Sequence, residues 1–72
     1  FKKDSQKAIE ELKQSLQWDP TFPPAHYYLG VQYQSWNPKL AKKHLKRFLK
    51  LVSLQPGYEN LQPGAEKILS KL

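Results

Sequence analysis

Two histidines, His26 and His44, are the side chains of this sequence best suited to acid–base or metal chemistry. Neither has a carboxylate at the spacing that metal-binding helices use. No serine lies in a glycine-flanked nucleophile elbow, and none has a general base at helical spacing. The absence of cysteine excludes a disulfide, a thiolate ligand and a thiol nucleophile. We therefore expect a protein that is not an enzyme, holds no metal or cofactor and acts on no small-molecule substrate.

The cations are the second group that could do chemistry. All six acidic residues lie outside residues 20–58, whereas half of the twelve cations lie between residues 39 and 50 of this chain of net charge +6. At about 100° per residue, five lysines share one arc of a helix opposite Phe48, with Arg47 at its edge. They are Lys39, Lys42, Lys43, Lys46 and Lys50. Such a face is either merely solvated or a site for an anionic partner, such as nucleic acid, an acidic protein segment or lipid headgroups.

Nucleic acid is the less favoured of these anionic partners. Lysine dominates over arginine on this face, and no aromatic residue interleaves with the cations to stack on bases. The corner at Asn37-Pro38 is also tighter than the turn of a DNA-reading helix-turn-helix. The sequence therefore does not predict sequence-specific DNA recognition.

The elements that must position these residues are helices. Apolar residues recur at i, i+3 and i+4 in four segments, residues 4–18, 24–36, 38–53 and 64–72, and alternation typical of strands is absent. Pro24 and Pro38 stand in first turns, where a missing N–H does no harm. The pattern predicts one all-α domain over residues 1–72.

Gly30 interrupts the second predicted helix. A glycine in a helix interior costs about 1 kcal/mol relative to alanine. Short linkers place successive helices side by side and antiparallel. We expect that helix 38–53 crosses helix 24–36 closely at Gly30.

The spacing of small and large residues carries a family resemblance. Leu29, Gly30 and Tyr33 form a Leu-Gly-x-x-Tyr pattern, the segment AIEELKQSLQWDP precedes it, and packing residues follow at Ala41, Leu45 and Phe48. This resembles the tetratricopeptide repeat, a helix–turn–helix unit of roughly 34 residues. Residues 1–20 resemble the second helix of a preceding repeat, residues 23–53 one full repeat, and residues 64–72 a capping helix. The resemblance implies antiparallel hairpins of an α-solenoid fragment with a short C-terminal capping helix.

Three departures from the family pattern stand out. Asn37-Pro38 replaces the usual turn, Phe48 stands where the family usually has alanine, and the pattern is lost after Ser53. Pro63 would fall inside the first helix of a third repeat, which is why we interpret residues 64–72 as a cap.

The resemblance implies a protein–protein interaction scaffold, in which first helices line a groove for a peptide or a partner helix. The positions that correspond to that groove are Pro24, Tyr27, Val31, Gln34 and Ser35. For Tyr27 the alternative is a ring that packs across the neighbouring helix. The alternative function is electrostatic binding of an anionic partner through helix 39–50.

Two further surfaces could bind a partner. The first helix lacks a preceding neighbour, so its stripe of Ile9, Leu12 and Leu16 could be left uncovered, and it would then self-associate or pack on a missing segment. Trp18 and Trp36, near helix ends, either anchor a partner or close the ends of the core.

The sequence also bears on the compartment and on the completeness of the chain. No apolar run approaches the length of a membrane span, which predicts a soluble protein, and the absence of cysteine favours the cytoplasm. A first residue Phe1 and the absence of methionine suggest a processed product or a piece of a longer protein.

Overall fold

The structure is a computed structural model that describes residues 3–35 and 37–72, with side chains from residue 6 onward. Four α-helices follow one another: α1 (Lys3–Trp18), α2 (Pro23–Tyr33), α3 (Pro38–Leu54) and α4 (Gln62–Lys71). A single 3₁₀ turn, Glu59–Leu61, precedes α4. No strand occurs in the described part of the chain. The all-α class predicted from the apolar spacing is confirmed.

Helix α2 is the centre of the fold, with α1 and α3 packed antiparallel to it. Three contacts join α2 to α3: Tyr27 to Phe48, Gly30 to Leu45 and Tyr33 to His44. The residue numbers of the α3 partners decrease as the residue numbers along α2 increase. Against α1, Ile9 shares a core cluster with residues near the end of α2, whereas Leu16 shares a cleft with His26 near its start. Both neighbours of α2 therefore run opposite to it.

The core consists of two clusters joined at the crossing of α2 and α3. The first, between α1 and the end of α2, contains Ile9, Leu29, Tyr33 and Ala41. The second, between α3 and α4, contains Leu45, Phe48, Val52 and Ala65. The ring of Phe48 is fully buried in the second cluster, together with Ala65 of α4, and the Tyr27 ring of α2 packs on it. The small side chain of Ala65 on α4 thus leaves room for this ring.

The corner between α2 and α3 follows the local sequence. Asn37 leaves the helical region at φ −142° and ψ 78°, and its side-chain oxygen accepts the backbone N–H of Leu40 at 3.3 Å. Pro38 follows in the first turn of α3, where its fixed φ suits the helix. Helix α2 ends at Tyr33, three residues before the end predicted from its apolar spacing. The predicted last residue of that helix, Trp36, lies outside the described residues.

The two Leu-Gln-Pro-Gly stretches adopt different structures. The first, residues 54–57, is a turn in which Gly57 has a φ of +118°, a region that side-chain-bearing residues rarely adopt. The second, residues 61–64, begins α4 at Gln62, because Pro63 occupies the first turn and Ala65 is buried. Helix α4 therefore starts two residues earlier than predicted, and its proline causes no break.

The stripe predicted to be uncovered on α1 is largely covered within the chain. Ile9 is 5% exposed, and Leu12 and Leu16 are partly buried against the same cluster. The expectation that Ile9 offers an association surface is therefore wrong, because α2 already covers it. Within the described residues, no helix has both the length and the apolar character needed to cross a bilayer.

Candidate functional site

A cleft of about 730 Å³ lies between the α1–α2 corner and α3, and it collects most of the chemistry of this chain. Its volume is in the range of pockets that hold ligands. Leu16, Pro20 and His26 line one side. The opposite side belongs to α3 and consists of Lys43, His44, Lys46, Arg47 and Lys50. We call this site the basic cleft.

Helix geometry explains the cationic wall. Leu45, Phe48 and Val52 face the buried core, and at about 100° per residue the cations Lys43, Lys46, Arg47 and Lys50 lie on the opposite face of the helix. Lys43, Lys46, Arg47 and Lys50 are all exposed, and none forms an ion pair within the described residues. No carboxylate of the side chains that the structure describes lines the cleft. The site is therefore a concave surface of uncompensated positive charge.

The α1–α2 corner that forms the other wall is held in place by specific hydrogen bonds. The Asp19 carboxylate accepts two hydrogen bonds from Thr21, one from the backbone N–H at 3.2 Å and one from the side-chain hydroxyl at 3.1 Å. The Gln55 side-chain amide, just past α3, donates to the Thr21 carbonyl at 3.1 Å. The Phe22 and Tyr58 rings meet edge to face with centroids 6.4 Å apart. These contacts attach the corner to the far end of α3 and fix the width of the cleft.

The two histidines meet in this cleft. Their Nδ1 atoms are 3.2 Å apart, and their ring centroids are 5.4 Å apart. Nε2 of His26 lies 3.0 Å from the carbonyl oxygen of Pro20, within the corner. His26 is 8% exposed, and His44 stacks on Tyr33 with centroids 5.8 Å apart. The pair therefore links α3 to both α2 and the corner.

The environment of His44 disfavours its charged form. Burial, the neighbouring His26 and the cations Lys43 and Lys13 together lower the pKa of His44 from 6.5 to about 4. The imidazole is therefore neutral near pH 7. No group of three or more histidine or carboxylate side chains able to hold a metal ion occurs among the described residues.

The five lysines predicted to bind an anionic partner do not all lie in one site. Lys43, Lys46 and Lys50 line the cleft, whereas Lys39 and Lys42 lie outside it on the exposed surface. The structure adds Arg47, which the sequence placed only at the edge of the arc, and the two histidines. The helical spacing of the basic residues in helix 39–50 identified the cations of the cleft. Nothing in the sequence indicated that His26 and His44 are in contact.

The predicted peptide groove on α2 is only partly open. The Tyr27 ring packs on Phe48 with centroids 5.3 Å apart, and a Cβ added to Gly64 of α4 would lie 2.7 Å from its hydroxyl. Of the two interpretations of Tyr27, a groove-lining residue or a ring packed across the neighbouring helix, the geometry matches the second. Pro24 and Val31 are half-buried, and Gln34 and Ser35 are exposed near the end of α2. None of these five residues lines the basic cleft.

A smaller groove of about 370 Å³ lies between α1 and α2. It is lined by Leu12 and Ala8 on one side and by Tyr28 and Gln32 on the other. Tyr28 is 45% exposed, and Trp18, near the end of α1, is 85% exposed. Trp18 therefore does not close the end of the core.

Comparison with known proteins returned no relative: no family model, no curated protein and no solved structure matches this chain.

Proposed function

We propose that this chain is a non-catalytic protein-interaction module that binds an acidic segment of a partner protein in the basic cleft. The observation that carries the proposal is the convergence of four cations on one concave surface, where, within the described part of the chain, they form no ion pair and no carboxylate lies beside them. A cleft lined by one sign of charge concentrates oppositely charged partners and speeds their association.

The composition of the cleft favours a peptide over a nucleic acid. Leu16 and Pro20 provide apolar surface for the side chains or the backbone of a peptide. Three of the four cations are lysines, which act as flexible point charges, and among the described residues no tyrosine, tryptophan or phenylalanine lines the cleft. Proteins that bind single-stranded nucleic acid without sequence preference use such rings as stacking platforms. An extended acidic peptide therefore suits the cleft better.

The scaffold part of the proposal rests on the helix arrangement. Helices α1, α2 and α3 are successive antiparallel neighbours, and Gly30 lies at the closest approach of α2 and α3. This arrangement supports the tetratricopeptide-repeat resemblance, in which α2 and α3 form one repeat and α1 the second helix of another. The basic cleft lies between the two second helices, so we propose that it, rather than the groove side of α2, is the main binding surface.

A matched pair of double variants tests the proposal. Lys46→Gln with Lys50→Gln removes charge inside the cleft, whereas Lys39→Gln with Lys42→Gln removes the same charge from the same helix outside it. The probe is a fluorescein-labelled peptide in which glutamate alternates with serine, measured by anisotropy at low salt. We expect the cleft variant to weaken binding by roughly tenfold and the control variant to change it by much less.

Two outcomes would contradict the proposal. Equal losses in both double variants would mean that only the total charge of the chain matters. Tighter binding of a single-stranded oligonucleotide than of the peptide, at matched charge and salt, would instead indicate nucleic-acid binding. A steep loss of affinity with salt would accompany that second result.

A further inference from the structure

The hydrogen bonds of His26 and His44 define which nitrogen of the pair is free. A carbonyl oxygen only accepts, so Nε2 of His26 carries a hydrogen and donates it to the Pro20 carbonyl. A neutral His26 then has a bare Nδ1, which can only accept. With His26 neutral, the 3.2 Å contact between the two Nδ1 atoms requires His44 to donate from its Nδ1. Nε2 of His44 is left as the unprotonated nitrogen of the pair.

The charged groups around this nitrogen come from three helices. Lys13 reaches it electrostatically from α1, His26 and the stacked Tyr33 belong to α2, and Lys43 is its neighbour on α3. Lys46, Arg47 and Lys50 line the same cleft as His44. All the charged members of this set are cations, so the empty cleft disfavours a proton on His44. An anion in the cleft would offset this positive field and favour protonation.

We propose that the basic cleft is a proton-linked anion site, in which occupation by acidic side chains draws one proton from solvent onto Nε2 of His44. The new N–H bond turns the pair from a site with a bare acceptor into a donor for the occupant, and His44 keeps its Nδ1–H bond to His26. The inference rests on the proposed function of the cleft. It implies that affinity for an acidic segment rises as the pH falls, by up to about tenfold per pH unit.

The test is calorimetric titration with a probe whose own charge is constant. A peptide in which cysteic acid alternates with serine keeps its sulfonates ionised throughout. Titration in two buffers with different ionisation enthalpies measures the protons taken up on binding, and EDTA removes trace metal that the two imidazoles could share. We expect uptake near zero around pH 8 and approaching about one proton near pH 5.

His44→Gln is the decisive variant, and Lys39→Gln, which lies outside the cleft, is its control. We expect His44→Gln to abolish proton uptake while peptide binding persists at about pH 8, and Lys39→Gln to leave uptake unchanged. NMR titration of the His44 ring in the unaltered chain provides a second measurement that does not depend on the variant folding. Its pKa should rise when the peptide saturates the cleft.

The outcomes separate this inference from the proposed function. Binding without proton uptake between about pH 5 and 8, or uptake that survives His44→Gln, would overturn the proton linkage and leave the cleft as a binding site. Failure of the peptide to bind at either end of that range would overturn both.

Discussion

Leu45 covers Gly30 so closely that the two residues define the distance between α2 and α3. A Cβ added to Gly30 would lie 2.6 Å from Cδ2 of Leu45, closer than real side-chain contacts allow. Both residues are buried, and Leu45 has 0% exposure, so it has no open space to move into. The cost of a glycine within a helix is thus offset by packing across the helix pair.

Gly30→Ala should therefore destabilise the fold by roughly 1–3 kcal/mol, although alanine is the better helix former. On a Leu45→Ala background, where the covering side chain is removed, the same change should be neutral or stabilising. Urea unfolding, with an osmolyte present to keep both backgrounds folded, measures the coupling. Equal effects of Gly30→Ala in both backgrounds would show that Leu45 does not impose the glycine.

Acid should weaken the fold through His44. Because the pKa of His44 is lowered from 6.5 to about 4, the unfolded chain binds more protons than the folded chain between these values. The contribution of neutral His44 to stability is complete above 6.5 and is lost as the pH falls towards 4. We expect the urea midpoint to fall between about pH 7 and pH 5, and to fall less in His44→Gln. Identical pH profiles of the two chains would contradict this assignment.

We expect the Asn37 side chain to stabilise the fold, although it lies in a corner at the surface. Its side-chain oxygen accepts the Leu40 N–H at the start of α3. Asn37→Ala leaves that N–H unpaired and should cost about 1 kcal/mol, whereas Asn37→Ser should retain most of the stability. Thermal unfolding by circular dichroism compares the three chains. A serine variant as unstable as the alanine variant would show that the cap is unimportant.

One substitution on α1 and one on α2 should separate the core from an association surface. Ile9 is 5% exposed, so Ile9→Lys should destabilise the fold by roughly 2–5 kcal/mol. Tyr28, 45% exposed beside the smaller groove, should accept lysine at a cost of less than about 1.5 kcal/mol. Sedimentation of Tyr28→Lys over a wide concentration range therefore tests self-association without unfolding the chain. Loss of helical signal in Tyr28→Lys would show that its ring belongs to the core.

Local signals in the sequence predicted the helices but not their meeting points. Pro38 and the Asn37 cap fixed the start of α3, and Gly30 indicated a close crossing. The letters of the second Leu-Gln-Pro-Gly stretch do not distinguish it from the first, which forms a turn. Burial of Ala65 and contact with Tyr27 make it helical, and these depend on packing that the segment does not encode by itself.

The site was predictable only in part for the same reason. Helical periodicity placed Lys43, Lys46 and Lys50 on one arc, because that relation lies within a single helix. The contact between His26 and His44 depends on the register of α2 against α3, and the Gln55–Thr21 bond depends on how the corner folds back. A single sequence carries no direct signal for either relation.

The unpaired cations of α3 have a consequence for how this fold responds to its surroundings. A protein held by surface ion pairs loses stability when salt is added, because salt screens attraction. Here the screened interactions are repulsions among Lys43, Lys46, Arg47 and Lys50, which form no ion pair among the described residues. Sodium chloride should therefore raise the melting temperature, and dilution into low-salt buffer should lower it. At low ionic strength, the cations that attract a partner therefore also destabilise the helix on which they lie, because they repel one another.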